Sequence, residues 1–210
     1  MYEEFAEEHR MVIDLVEKFV ENELMPFEKV IMEREAGGEK ASLLPEEEEP
    51  LLAKCKELGL WALDAPEDMG GSELPPTVML AINEKLWSTV TPFTFPPDSP
   101  NLLMLDKVAT PEQKAKYMEP YAQGIMKSCI AISEPGAGGD PAHMRTRAIK
   151  DGDDWVINGR KIWVSNVPAA DFIILMAVTD PEKGARGGIT GASHHRAGHR
   201  HHRAHALAAG

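Results

Sequence analysis

A chain of 210 residues has room for a real hydrophobic core and for one large domain or two small ones. It is 43% hydrophobic and 27% charged, with a formal net charge of -12, and an acidic surface argues against nucleic acid as the main partner, because phosphate contacts need Lys and Arg. No run reaches the roughly 18 apolar residues of a membrane span, and the acidic start MYEEFAEEH is neither a secretory signal nor a basic transit segment.

Residues 3–35 read as a long amphipathic helix. Phe5, Val12, Val16, Phe19 and Leu24 recur at helical steps, Ile13 and Val20 widen the stripe, and Pro26 marks a kink or break. Sixteen Asp/Glu against five Lys/Arg fall in residues 1–50, so most of the acid is a solvated face of this helical segment. A second helix runs near 46–58 and stops at Gly59. Pro66 to Gly71 makes a turn. A third helix covers about 75–90, and a short one follows around 100–108. Thr110-Pro111-Glu112-Gln113 starts another: Thr caps, Pro takes the first position, and Gln reaches back to the cap amide. Gly124 ends it.

The period then changes from 3.6 to two near residue 126. Ser128 to Ser133 reads as a strand, Met144 to Lys150 as another, and Asp151-Gly152-Asp153 as its turn. Trp155 to Ile157 leads to Asn158-Gly159, a strong two-residue hairpin signal, with Arg160 to Ser165 as the return strand. Phe172 to Val178 is nearly all apolar and so is central. The expected fold class is α+β: an N-terminal all-helical domain over 1–125, then a small antiparallel β-barrel or sandwich over 126–190. Residues 193–210 hold six His and three Arg, and no acid follows Glu182. With no apolar periodicity to bury, 191–210 is expected to be a disordered tail, of the kind a reading-frame change leaves, with loose metal binding by the His residues and an engineered end as the alternative readings.

Cys55 and Cys129 lie far apart in apolar contexts. They make neither a disulfide framework nor a metal-ligand spacing, and the expected compartment is cytoplasmic or another reducing one. The chemistry-bearing segment is Glu134-Pro135-Gly136-Ala137-Gly138-Gly139-Asp140, where backbone can approach a ligand and aim amides at an anion. Taken alone it is also compatible with an ordinary tight connection, and Trp163 with a core or edge aromatic.

Together these residues resemble the acyl-CoA dehydrogenase family. That family has a Thr/Ser-Glu-Pro-x-Ala-Gly-Ser-Asp segment and then Asn-Gly-x-Lys-x-Trp-x-Thr/Ser-Asn. Here they read Ser133-Glu134-Pro135-Gly136-Ala137-Gly138-Gly139-Asp140 and Asn158-Gly159-Arg160-Lys161-Ile162-Trp163-Val164-Ser165-Asn166. Glu57-Leu58-Gly59-Leu60 with Pro66 to Gly71 resembles its first-domain signature. The resemblance implies FAD as cofactor. Ile132 and Ser133 would meet the pyrimidine edge of its ring, Gly138 and Gly139 the ribityl chain and pyrophosphate, Trp163 the ring system, and Ser165 the N5 side. It implies removal of an α-proton from an acyl-CoA thioester by a glutamate, hydride transfer from Cβ to FAD, and a 2-enoyl-CoA product. Implied partners are the acyl-CoA substrate, an electron-transferring flavoprotein and further copies of the chain.

Two departures stand out. Gly139 replaces the family's usual Ser, a hydroxyl whose loss weakens the site by about 1 kcal/mol. The family chain also continues into a C-terminal helical domain that carries the glutamate base, and nothing in 1–210 matches it, so no catalytic residue and no metal ligand is assigned. This chain alone is then expected not to oxidise acyl-CoA and to bind FAD weakly or not at all. A non-catalytic fragment or interaction module, and an acyl-CoA oxidase or nitroalkane-oxidase-like relative, are the alternative readings.

Overall fold

The computed structural model describes residues 4–97, 99–152, 154–184, 187–195 and 203–206; of Ser99, 192–195 and 203–206 it describes the backbone alone. The chain divides into two compact units, 1–99 and 100–210.

The first unit is helical. α1 (Glu7–Phe19) runs on through a π-turn at Val20–Leu24 and a tight turn at Met25–Phe27 into α2 (Glu28–Ala36). Pro26 lacks the amide that a regular helix needs, and the local rewinding absorbs this without ending the helical path. Ile13, Val16, Phe19, Val20 and Leu24 are buried along one stripe. They pack with Leu51 and Cys55 of α3 (Pro45–Leu58) and Val78, Ile82 and Leu86 of α4 (Pro76–Leu86). Phe19, Phe93 and Phe95 close this core as an aromatic trio with centroids 5.6–5.8 Å apart. Polar ties fix the helix ends. Arg34 grips Glu47 with both guanidinium nitrogens, at 2.8 and 2.6 Å, while Glu47 also accepts from the Leu44 amide. The Thr91 hydroxyl donates to the Leu24 carbonyl at 2.9 Å. α3 ends where Gly59 turns left-handed, at φ 72°. The 60–74 turn is so tight that a Cβ on Gly71 would lie 2.0 Å from the Ala65 carbonyl oxygen. Among the described residues no helix is long and apolar enough to cross a membrane.

The second unit joins helices to a sheet. α5 (Ser99–Val108), α6 (Pro111–Gln113) and α7 (Glu119–Ala122) come first, α6 and α7 being linked by a π-turn over Lys114–Met118. The Thr110 hydroxyl accepts from the Gln113 amide at 3.3 Å, and the Gln113 side chain accepts from the Thr110 amide at 3.0 Å. Thr110→Ala removes half of this reciprocal cap and is expected to lower the unfolding free energy by about 1 kcal/mol in a urea titration. The strands are β1 (Ser128–Ala131), β2 (Arg147–Asp151), β3 (Asp154–Asn158), β4 (Phe172–Val178), β5 (Ile189–His195) and β6 (Arg203–Ala206). They form one sheet in the order β1-β4-β2-β3-β6-β5, with β4 pairing β5 as well. β4 is central, as its apolar run predicts: Phe172, Ile174 and Ala177 are fully buried.

Four expectations are corrected. The sheet is mixed, not antiparallel, because β4 runs parallel to β1 and to β2. It is not a closed barrel, since β2 meets β4 only through Arg147 opposite Val178. Asn158-Gly159 is not a hairpin turn, and 160–165 is not a strand. The hairpin is β2–β3, turning around Gly152 at φ 62°. Gly159 is needed for another reason: a Cβ there would sit 2.2 Å from the Thr146 hydroxyl oxygen. Lastly, 191–195 and 203–206, expected to be irregular, lie in β5 and β6. β5 pairs along the whole of β4, from Val178 opposite Ile189 to Phe172 opposite His195. A strand ladder is made by backbone groups, so an edge of β4 can be satisfied by a segment with no apolar alternation. Residues 196–202 and 207–210 lie outside the described residues. α5–α7 belong to the same compact unit as the sheet. The cause is visible in the packing, where Tyr117 and Tyr121 flank Phe172 at 5.3 and 5.8 Å.

Candidate cofactor site

All six residues singled out for a cofactor lie in the excursion between β1 and β4. Ile132 follows β1 directly and is exposed, and Ser133 is half-buried beside it. Glu134 and Ala137 then bond reciprocally, amide to carbonyl, at 2.9 and 3.2 Å, folding Pro135 and Gly136 into a tight turn. Gly138 and Gly139 follow, both exposed, with nothing within 4 Å of where a Cβ would stand. Asp140 closes the segment by accepting from the Ala142 amide at 2.9 Å and pairing with His143 at 2.8 Å.

Trp163 and Ser165 arrive from the other side of the excursion. The segment that carries them crosses the end of β1: the Ile162 amide donates to the Ser133 carbonyl at 2.9 Å. Trp163 is held at φ 57° and Asn166 at φ 62°. These left-handed residues prevent a strand and turn the Trp163 indole outward, 90% exposed.

A buried ion pair joins the two sides. Lys161 and Glu134 side chains are only 8% and 5% exposed, with Nζ 2.8 Å from the carboxylate. The same Nζ donates to the Ile132 carbonyl at 2.9 Å. Glu134 also accepts from the amides of Arg145, at 2.6 Å, and Thr146, at 2.9 Å. One carboxylate thus ties the end of β1, the start of β2 and the Trp163 segment together. Burial alone would raise the Glu134 pKa, but the Lys161 ammonium and the amides outweigh it and hold the carboxyl at about 2. Sequence reasoning placed Glu134 and Lys161 in the two motifs and missed that they pair. The available signal was an oppositely charged pair in two motifs that otherwise read as ligand contacts.

The arrangement brings the two motifs together. It offers an outward indole, a Ser133 hydroxyl at a strand end, and two glycines where backbone can come close. Lys161 and Ile162 each donate to one carbonyl there, those of Ile132 and Ser133. No group of three or more His, Cys, Asp or Glu able to hold a metal occurs among the described residues. Burial pushes the Cys55 thiol up to about 12 and raises Cys129 as well, so both behave as small apolar side chains.

Comparison with known families decides the kinship. Residues 6–125 match the acyl-CoA dehydrogenase N-terminal domain, and residues 129–205 match the acyl-CoA dehydrogenase middle domain. The chain belongs to the acyl-CoA dehydrogenase family. Among its relatives is (R)-benzylsuccinyl-CoA dehydrogenase of Thauera aromatica, 37% identical over 186 residues, covering 84% of this chain and 46% of that protein. Another is the caffeyl-CoA reductase-Etf complex subunit CarC of Acetobacterium woodii, 32% identical over 186 residues, covering 87% of this chain and 47% of that one. A solved acyl-CoA dehydrogenase-like protein of Mycobacterium abscessus superposes with a TM-score of 0.77 at 27% identity, over 90% of this chain and 50% of that one. The chain spans about half the length of the curated relatives it matches. The middle-domain match of the acyl-CoA dehydrogenase family extends through β5 and into β6, so the segment expected to lie outside the family falls largely within it.

Proposed function

We propose that this chain holds FAD for the α,β-dehydrogenation of an acyl-CoA thioester to a 2-enoyl-CoA. The observation that carries the reading is that both family motifs meet at one edge of the sheet around the Lys161–Glu134 pair, with Gly138, Gly139 and Trp163 exposed and Ser133 half-buried. Ile132 and Ser133 would hold the pyrimidine edge of the ring, Gly138 and Gly139 the ribityl chain and pyrophosphate, Trp163 the ring system, and Ser165 the N5 side. FAD, when bound, supplies the hydride acceptor. The chain's own residues orient it and shield one face from water. Glu134 is not the proton-abstracting base, because a carboxyl held at about 2 and committed to Lys161 is too weak a base near neutral pH. An electron-transferring flavoprotein is the proposed electron partner, in keeping with the Etf complex named for the Acetobacterium woodii relative.

The test is a flavin fluorescence titration of the purified chain. Saturable quenching by the wild type is expected, with Kd raised about three- to tenfold by Trp163→Ala, the range of one aromatic contact. Absence of saturation in the wild type up to about 1 mM FAD, or an unchanged Kd in Trp163→Ala, defeats the reading.

A further inference from the structure

Lys161 stands where the two sides of the candidate site meet, two residues before Trp163. Its ammonium group has three N–H bonds to give, and each faces a different segment. One goes to the Glu134 carboxylate at 2.8 Å, one to the Ile132 carbonyl at 2.9 Å, and one toward the Met144 thioether at 3.9 Å. We propose that Lys161 is a positioning residue for the flavin: it fixes the strand end at Ile132 and Ser133 against the left-handed turn at Trp163. The proposal rests on the flavin reading for what is held, and on the geometry of this chain alone for how it is held.

A turn of this shape needs holding. Trp163 sits at φ 57°, a region that bulky L-residues avoid, whereas Asn166 at φ 62° tolerates it. The indole is mostly exposed and so contributes little packing of its own. On the C-terminal side the Asn166 carbonyl accepts from the Ala169 and Ala170 amides, both at 3.0 Å. On the N-terminal side the segment is tied by Lys161 and by the Ile162 amide, which donates to the Ser133 carbonyl at 2.9 Å. A strained residue keeps its conformation only while its neighbours over-determine it. Released from Lys161, the turn relaxes toward an ordinary φ and the indole leaves its place beside Ser133.

Packing alone does not call for a charge here. An apolar side chain of similar volume usually fills a buried position as stably as an ion pair, because both charges must leave water. What a buried pair adds is direction: an ammonium group among fixed acceptors cannot shift without breaking hydrogen bonds. Glu134 anchors the far end, since its carboxylate also accepts from the Arg145 and Thr146 amides just before β2. Lys161 thereby refers Ile132, Ser133 and Trp163 to one fixed point in the sheet. A ligand that touches both sides meets them already spaced and need not order them on binding.

The test reads position separately from stability. Hydrogen exchange of the Ile162 amide, followed by NMR on the full chain without ligand, should be about tenfold or more faster in Lys161→Met than in Phe172→Ala. Phe172 is a core residue in neither motif, and its replacement controls for opening of the whole unit. In Glu134→Gln/Lys161→Met, where no unpaired charge is left buried, stability should partly return while the Ile162 amide stays fast. The second readout is a flavin fluorescence titration at a temperature where far-UV circular dichroism finds every variant folded. Kd for FAD should rise about tenfold or more in Lys161→Met and in the double variant, and stay within about twofold of wild type in Phe172→Ala. The proposal is overturned if the Ile162 amide is as fast in Phe172→Ala as in Lys161→Met, or regains protection in the double variant along with stability. An unchanged Kd in Lys161→Met beside a saturable wild type overturns it too. A wild type that does not saturate defeats the flavin reading instead, and the exchange rates then decide whether Lys161 fixes the two segments.

Discussion

Replacing Lys161 with methionine is expected to destabilise the β-rich unit by about 3–5 kcal/mol, the usual cost of leaving one member of a buried ion pair without its partner. The variant keeps most of the side-chain volume and removes the charge. Glu134 then retains two amide donors, but no cation offsets its burial. Denaturant unfolding followed by tryptophan fluorescence measures the loss. Glu134→Gln/Lys161→Met should recover part of it, because neither position then carries an unpaired charge. A loss under about 1 kcal/mol in Lys161→Met would mean that solvent reaches the pair. The pH dependence has a definite sign. Glu134 is held at about 2, below its ordinary 4.5. Its folded pKa is depressed, so its contribution is fully present above about 4.5 and is lost as pH falls through about 2. In Lys161→Met the carboxyl moves back up, and the gap between variant and wild type should narrow on acidification below pH 4.5.

Phe172→Ala is expected to cost a further about 3–5 kcal/mol in the same assay, by a different physical route. Phe172 opens β4, is fully buried, and packs between Tyr117 and Tyr121. Its ring is the contact through which the π-turn and α7 lie on the sheet. Removing it leaves a void lined by two tyrosines that the strand backbone, bonded on both edges, cannot collapse to fill. Ile149→Ala is the matched control. Ile149 is apolar and lies in β2, but it is 61% exposed, so its loss should stay within about 0.5 kcal/mol. Equal effects at the two positions would show that the Tyr117–Phe172–Tyr121 stack carries no special share of the core.

Where local chemistry decides structure, this sequence is readable. The Thr110-Pro111 start of a helix, the stop at Gly59 and the apolar run of β4 are each set by a residue and its immediate neighbours. Asn158-Gly159 is the instructive failure. The pair has the composition of a hairpin turn, yet Gly159 is glycine because Thr146 presses on it, a contact between segments that no local pattern reports. β5 and β6 escape notice for the complementary reason: backbone pairing with β4 and β3 orders them, and their side chains give no hint of it. The candidate site divides the same way. Ile132, Ser133, Gly138, Gly139, Trp163 and Ser165 come forward because they sit in recognisable motifs. Lys161 meets Glu134 only once the chain has folded back.

The parallel pairing of β1 with β4 has a kinetic consequence. The β2–β3 hairpin is local and can form in about 1–10 μs, whereas Ser128 finds Phe172 only after everything between them has been looped out. Parallel pairs of this kind pay their closure entropy before any contact rewards it. Every candidate flavin residue lies on that loop, so the binding edge comes into being at the moment β1 zips onto β4. A ligand that recognises it meets only chains already past the barrier. It will slow unfolding and leave the folding rate where it was.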